Sequence, residues 1–228
     1  MMTIVWCLTT ILVYVLSKRV NQRYNHVLLH PLLISPLFLI VLITAAQISP
    51  EQYAEGTKLL TYGLGPATVA FAVPIYKHLP LIKKHLSEVF FSIMVGTVFS
   101  IVSSAVFSHF IHLSQSFINS LMPRSITTPI AIEISEEIGG LPALTAVFVI
   151  CTGITGAVVG PSLIKLFAFR SSVAKGMMMG VAAHGTGTAK AFEYGNQEGT
   201  FSSIAMVLCA VITMIWANSW IPYFQHFF

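Results

Sequence analysis

The chain has 228 residues, 55% hydrophobic and only 9% charged, with a mean hydropathy of +0.81 and a net charge of +4. Soluble domains carry about 25% charged residues, so a soluble globular fold is excluded, and the continuous apolar runs exclude the alternating pattern of a β-barrel. What remains is an all-α, polytopic membrane protein, a single transmembrane domain over residues 1–228 whose Lys and Arg sit in short loops and report topology, not nucleic-acid binding.

Residues 3–17 form the first apolar run. The start, Met-Met-Thr-Ile-Val-Trp-Cys, lacks the basic stretch of a signal peptide, so an uncleaved helix is expected, with its N-terminus outside. Lys18, Arg19 and Arg23 follow and mark a cytoplasmic loop. Residues 31–46 are apolar but broken by Ser35-Pro36, and short against the roughly 20 residues of a crossing. They read as a broken or partly re-entrant segment. Residues 47–56 are polar and expected outside. Residues 59–76 cross back, and Lys77, Lys83 and Lys84 mark the next cytoplasmic loop. Residues 89–113 are a long clean span running outward, and residues 114–124 are expected outside.

Residues 125–138 are too short to cross, and Glu133, Glu136 and Glu137 stud their second half before Gly139-Gly140. If this segment crossed, Lys165, Arg170 and Lys175 would lie outside. A re-entrant segment keeps them inside, as the positive-inside rule asks, and is preferred. Residues 141–166 are a long apolar run crossing inward, 176–190 then cross outward and 201–221 return, leaving a cytoplasmic C-terminus. The expected total is about seven crossings and one re-entrant segment.

Three short signatures recur in order. Ser35-Pro36 matches Thr128-Pro129, Gly65-Pro-Ala-Thr68 matches Gly185-Thr-Gly-Thr188, and Phe90-Phe-Ser92-Ile93 matches Phe201-Ser-Ser203-Ile204. On the topology above the last two pairs run in opposite directions. The pattern is that of a weak inverted repeat, residues 1–113 against 125–221, in which interrupted helices at matching positions mark the substrate site. The spacing of the elements differs between the halves by about one helix, which weakens the match.

The candidate site follows from those interruptions. Gly65, Pro66 and Thr68 form one break. His184, Gly185, Thr186, Gly187 and Thr188 form the other, and Thr127 and Thr128 flank a third at Pro129. Glycines weaken a helix and bare its amides, and a half-helix starting there aims a positive dipole end at an anion. Hydroxyls in membrane helices often only bond their own helix, but clustered beside breaks they suit a small carboxylate. Glu133, between Ile132 and Ile134, and His184 are the candidates for proton coupling. Lys190 and Glu193 stand at i, i+3 and read equally as a bland ion pair. Gly156-x-x-x-Gly160 and Gly176-x-x-x-Gly180 predict close helix packing and a homo-oligomer. Cys7, Cys151 and Cys209 lie in apolar runs without metal spacing. With no Asp and no catalytic triad legible, no cofactor, no metal and no enzyme activity are expected.

The stretches Leu64-Gly-Pro-Ala-Thr-Val-Ala-Phe-Ala-Val-Pro-Ile-Tyr76, Pro123-Arg-Ser-Ile-Thr-Thr-Pro-Ile-Ala-Ile-Glu-Ile-Ser135, Gly139-Gly-Leu-Pro142, Thr152-Gly-Ile-Thr-Gly156 and His184-Gly-Thr-Gly-Thr-Ala189 resemble the LrgB/CidB family of bacterial membrane proteins. The resemblance implies a multi-pass protein of the bacterial inner membrane. It also implies one of two roles. One is transport of small monocarboxylates such as pyruvate, glycolate, glycerate or lactate. The other is antiholin-like control of murein hydrolases and autolysis with a holin-like partner of the LrgA/CidA type. It implies no residue roles. The carrier reading agrees with the repeat; a structural subunit without a ligand does not explain polar groups clustered at matched breaks.

Overall fold

The computed structural model describes residues 2–24, 29–70 and 72–221, and among them every regular element is a helix. Four helices are long and apolar enough to cross a membrane: Ile4–Tyr24, Leu86–Phe110, Pro142–Leu166 and Asn196–Ala217. A fifth span results if Leu33–Ala45 and Pro50–Gly56, bent by 117°, count as one broken crossing. Large apolar side chains such as Phe91, Phe99, Phe107 and Phe110 are exposed, as a lipid-facing surface requires. The chain is therefore a multi-pass membrane protein, with four or five candidate spans among the described residues where about seven were expected. It divides into two compact units, Met1–Ala70 and Phe71–Phe228.

In the first unit, α1 (Met2–Tyr24) packs with α2 (Pro31–Ala45) and α3 (Pro50–Gly56). The polar stretch 47–56 is not a plain loop. Ser49 accepts from the Gln52 amide while the Gln52 side chain accepts from the Ser49 amide, a capping box, and Pro50 occupies the first helical turn. Gly56 lies against the Trp6 ring, which stacks edge-on to Tyr53 at 5.7 Å. The stretch read as one crossing, residues 59–76, includes one residue outside the described ones; α4 (Lys58–Tyr62) and α5 (Leu64–Ala70) lie in the first unit and α6 (Ala72–Lys77) in the second. Gly63 ends the first of these pieces. The short α7 (Leu79–Lys84) then leads into the first span of the second unit.

In the second unit three spans, α8 (Leu86–Phe110), α11 (Pro142–Leu166) and α13 (Asn196–Ala217), enclose two helical hairpins. The first is α9 (Gln115–Leu121) with α10 (Thr128–Glu137). Its open ends lie side by side: Asn119 Nδ2 donates to the Ile138 carbonyl at 2.6 Å, and the Leu141 amide to Ser120 Oγ at 2.7 Å. Its tip, residues 122–127, reaches down α8. Arg124 Nε donates to Ser104 Oγ at 2.8 Å and Ser100 Oγ to Ser125 Oγ at 2.7 Å. Ser104 and Ser100 stand six and ten residues inside the end of α8, about 9 and 15 Å at 1.5 Å per residue. The segment thus folds back alongside α8 without running its length.

The second hairpin is α12 (Ser172–Tyr194), expected to be a crossing. Ser172 Oγ donates to Glu198 Oε1 at 2.9 Å, and Lys175 Nζ lies 6.0 Å from the centre of the Tyr194 ring. In a straight helix residues 175 and 194 would stand about 28 Å apart. The reversal occurs at Ala183 (φ −133°, ψ 17°) and His184 (φ 41°, ψ −129°). Each arm runs ten or eleven residues, roughly 16 Å, about half of a ~30 Å hydrocarbon core. Because α12 returns to its side of entry, α13 starts beside the beginning of α8. Phe201 stacks on His85 at 6.0 Å, and Thr97 Oγ1 bonds Cys209 Sγ at 3.3 Å.

This corrects three expectations together. Residues 176–190 do not cross. The Phe-x-Ser-Ile helices α8 and α13 run in the same direction, not opposite ones. The 165–175 loop and Ala217 lie at opposite ends of the bundle, not on one side. The order that does emerge is a span followed by a hairpin, twice, in opposite directions: α8 with α9–α10, then α11 with α12.

Candidate functional site

The second hairpin is held together by small residues. Gly187 on the return arm lies directly against the Met179 carbonyl of the outgoing arm, where a Cβ would have no room. On one flank, Gly153, Gly156 and Gly160 of α11 admit His184 with Thr186, Ala183 and Met179 in turn; a methyl at Gly153 would stand 2.7 Å from Thr186 Oγ1. On the other, Gly176 and Gly180 lie against the backbone of Glu198 and Ser202 on α13. The two Gly-x-x-x-Gly runs are thus occupied by packing inside the chain.

His184 carries the turn. Its positive φ is a region L residues rarely adopt. Its Nε2 stands 2.9 Å from the Val149 carbonyl; a carbonyl only accepts, so Nε2 bears the proton. Its own carbonyl accepts from Thr188 Oγ1 at 2.8 Å, and the Thr188 hydroxyl also meets Ser202 Oγ at 2.9 Å. Both residues are buried. Gly185 and Thr186 are half-buried and begin the return arm, so its positive end lies at the tip.

The tip of the first hairpin is built differently. Residues 122–127 are an open loop, and Thr127, in extended backbone, starts α10. Thr127 and Thr128 are half-buried, and α10, like the return arm of α12, has its N-terminus at the tip. The two hairpins enter from opposite ends, so two helix N-termini approach the middle from opposite directions. Two clefts lie between the tips. One of ≈ 460 Å³ is lined by Arg124, Thr152, Thr155, Gly156, Ala182 and Ala183 among others. One of ≈ 520 Å³ is lined by Ser100, Ser103, Arg124, Ser125, Met178 and Ala182 among others. Irregular backbone at membrane depth persists only when buried in protein or lining a cavity; here it does both.

The expected site residues are distributed as follows. Thr127, Thr128 and the 184–188 run stand at or beside the two tips. Gly65 and Pro66 are exposed on α5 in the first unit, which also carries Thr68. Glu133 is exposed on the return arm of the first hairpin. Lys190 and Glu193 form the plain surface ion pair. Two residues escaped the reading. Arg124 looked like the end of an external loop, yet it is half-buried at the tip and shared by both clefts; the Pro123-Arg124-Ser125 run just before a re-entrant segment was the available signal. Glu198, 9% exposed and bonded to Ser172, is the one buried acid among the described residues.

A family model described as the LrgB-like family matches residues 10–223. The protein YwbG of Bacillus subtilis, described as uncharacterized, is 46% identical over 205 residues, which cover 90% of this chain and 91% of that protein. A protein named holin-like protein CidB from Staphylococcus epidermidis is 37% identical over 208 residues, 91% of each chain. The CidB of Staphylococcus aureus is 36% identical over the same length, again 91% of each. No solved structure matches the chain.

Proposed function

We propose that this chain, which belongs to the LrgB-like family, is a secondary transporter of small monocarboxylates such as pyruvate, glycolate, glycerate or lactate. The observation that carries the reading is the pair of re-entrant hairpins whose tips share clefts near mid-depth. Interrupted helices meeting at the bilayer midplane are how secondary carriers expose backbone donors to a substrate. Two helix N-termini lie at the tips, with the half-buried hydroxyls of Thr127, Thr128 and Thr186 beside them but outside the lining of either cleft; they favour an anion near the tips, and His184 and Thr188 hold the second tip in shape. Gly65, Pro66 and Thr68 stay in the reading as a further contribution argued from sequence, and Glu133 as a coupling carboxylate. Lys83, Lys84, Lys165, Arg170 and Lys175 gather at the end where α8 starts, which makes that end cytoplasmic by the positive-inside rule.

The test is uptake of labelled pyruvate, glycolate, glycerate and lactate into proteoliposomes of the purified chain at two pH values. Saturable uptake above empty vesicles, reduced by Thr186→Val, is expected. Equal uptake in empty vesicles for every acid ends the reading.

A second reading follows from the name that the Staphylococcus relatives carry, holin-like protein. In it the chain regulates a membrane lesion together with a small holin-like membrane protein. It predicts release of a trapped dye from vesicles only when such a partner is reconstituted too, with no dependence on any carboxylate.

A further inference from the structure

We propose that the guanidinium of Arg124 is the group that takes the carboxylate of the transported acid, in the clefts where the two hairpin tips face each other. The choice of ligand rests on the transport reading; the anion site itself rests on the geometry.

Among the described residues Arg124 is a cation without a counter-charge and forms no ion pair. The acids of the second unit are engaged or turned elsewhere: Glu88 pairs with His85, Glu193 with Lys190, Glu198 bonds Ser172, and Glu133, Glu136 and Glu137 are exposed along α10. A charged side chain at this depth is expensive, and such residues mark ligand or ion pathways. The side chain is nevertheless held in place. Nε donates to Ser104 Oγ, and that hydroxyl donates to the Ser100 carbonyl at 2.6 Å. With Nε committed to α8, the plane of the fork is set. The two terminal nitrogens make no hydrogen bond among the described residues, while the residue lines both clefts. A guanidinium held at Nε with its outer edge free is arranged for bidentate capture of a carboxylate.

The surroundings narrow the class. Ser103 and Ser125 flank Arg124 in one cleft, Thr152 and Thr155 in the other. These hydroxyls suit a second oxygen close to the carboxylate. The rest of the lining, including Leu163, Val159 and Met178, offers nothing to a second charge. The fitting substrate is a short monocarboxylate with an oxo or hydroxyl oxygen on the neighbouring carbon. The same oxyanion chemistry would be met by the phosphate of an anionic lipid entering an open cleft, so the experiment separates the two.

Two measurements on the purified full chain decide it. In proteoliposomes, Arg124→Gln is expected to raise the KM for pyruvate about 30-fold or more, the usual consequence of removing one partner of a desolvated charge pair. Arg124→Lys, which keeps charge without the fork, should fall between, and Arg170→Gln, an exposed arginine, should change nothing. In detergent, phenylglyoxal modification read peptide by peptide is expected to label Arg124 in the ligand-free protein. Pyruvate should protect it, and pyruvamide, of similar shape without the charge, should not. If uptake proceeds with an unchanged KM in Arg124→Gln, the inference is overturned and transport stands. If no acid is carried but pyruvate still protects Arg124, the anion site stands and transport falls. If phosphatidylglycerol protects and pyruvate does not, or if Arg124 never reacts, the inference is overturned. Should Arg124→Gln fail to fold, Arg124→Lys and the protection experiment on the unmodified chain give the answer.

Discussion

The two hairpins do the same topological job by different means. The second turns in two residues, and its arms touch at Gly187 and Met179 so closely that no side chain fits. The first keeps a six-residue open tip fastened sideways to α8 by hydroxyls and by one arginine. One is a rigid wedge set by backbone contact, the other a loop whose position depends on polar side chains. Packing interiors tolerate little extra volume, so the wedge is intolerant of addition and the loop of hydroxyl loss. On the transport reading proposed above, the loop is the element able to release and re-form its bonds, since each is worth only ~1 kcal/mol net.

Substitutions can break or sharpen that contrast. The largest effect is expected at Gly187→Ala, whose new methyl meets the Met179 carbonyl and Ala183 Cβ. A backbone shift is unavoidable, at a cost of about 3 kcal/mol, seen as a lower thermal midpoint and loss of monodisperse protein. Gly185→Ala, with only Met206 Sδ at 3.7 Å, is the matched control and should fold normally; equal damage at both positions would refute the wedge. Next comes Thr188→Val. It removes the bonds to the His184 carbonyl and to buried Ser202 Oγ, a loss of about 1–3 kcal/mol, with uptake reduced because the tip loosens. In the first hairpin, Ser100→Ala should cost about 1 kcal/mol, with faster hydrogen exchange confined to residues 122–127. Damage spread over α12 would show that the hairpins are not separate devices. The smallest effect is expected at Lys190→Ala, within about 0.5 kcal/mol, because its pair with Glu193 is at the surface.

Much of this was readable beforehand, and the failures share a cause. That residues 125–138 do not run the length of a span is legible in the sequence, because they are too short to cross. The interruption near Gly185 was recognised too, since glycine beside His184 and threonines in an apolar run is incompatible with a plain lipid-facing rod. The sharpness of that interruption was not. A kinked helix and a full reversal share the same local composition, and only the contact of Gly187 with Met179 separates them. One misjudged reversal then inverted the direction assigned to α13 and spoiled the Phe-x-Ser-Ile comparison. Arg124 was overlooked for a related reason: a basic residue near a loop is normally at the surface, and its depth depends on what the loop rests against.

The amino-acid sequence by itself determined the solvent of this protein, its all-helical character, its family and the places where helices must stop. Those properties follow from transfer free energies and backbone preferences, which act residue by residue. The tertiary structure alone decided which interrupted segments turn back, that two hairpins approach from opposite ends, and that an arginine and a row of hydroxyls share their meeting place. Those depend on contacts between residues far apart in the chain, and neither composition nor periodicity carries the distance between them.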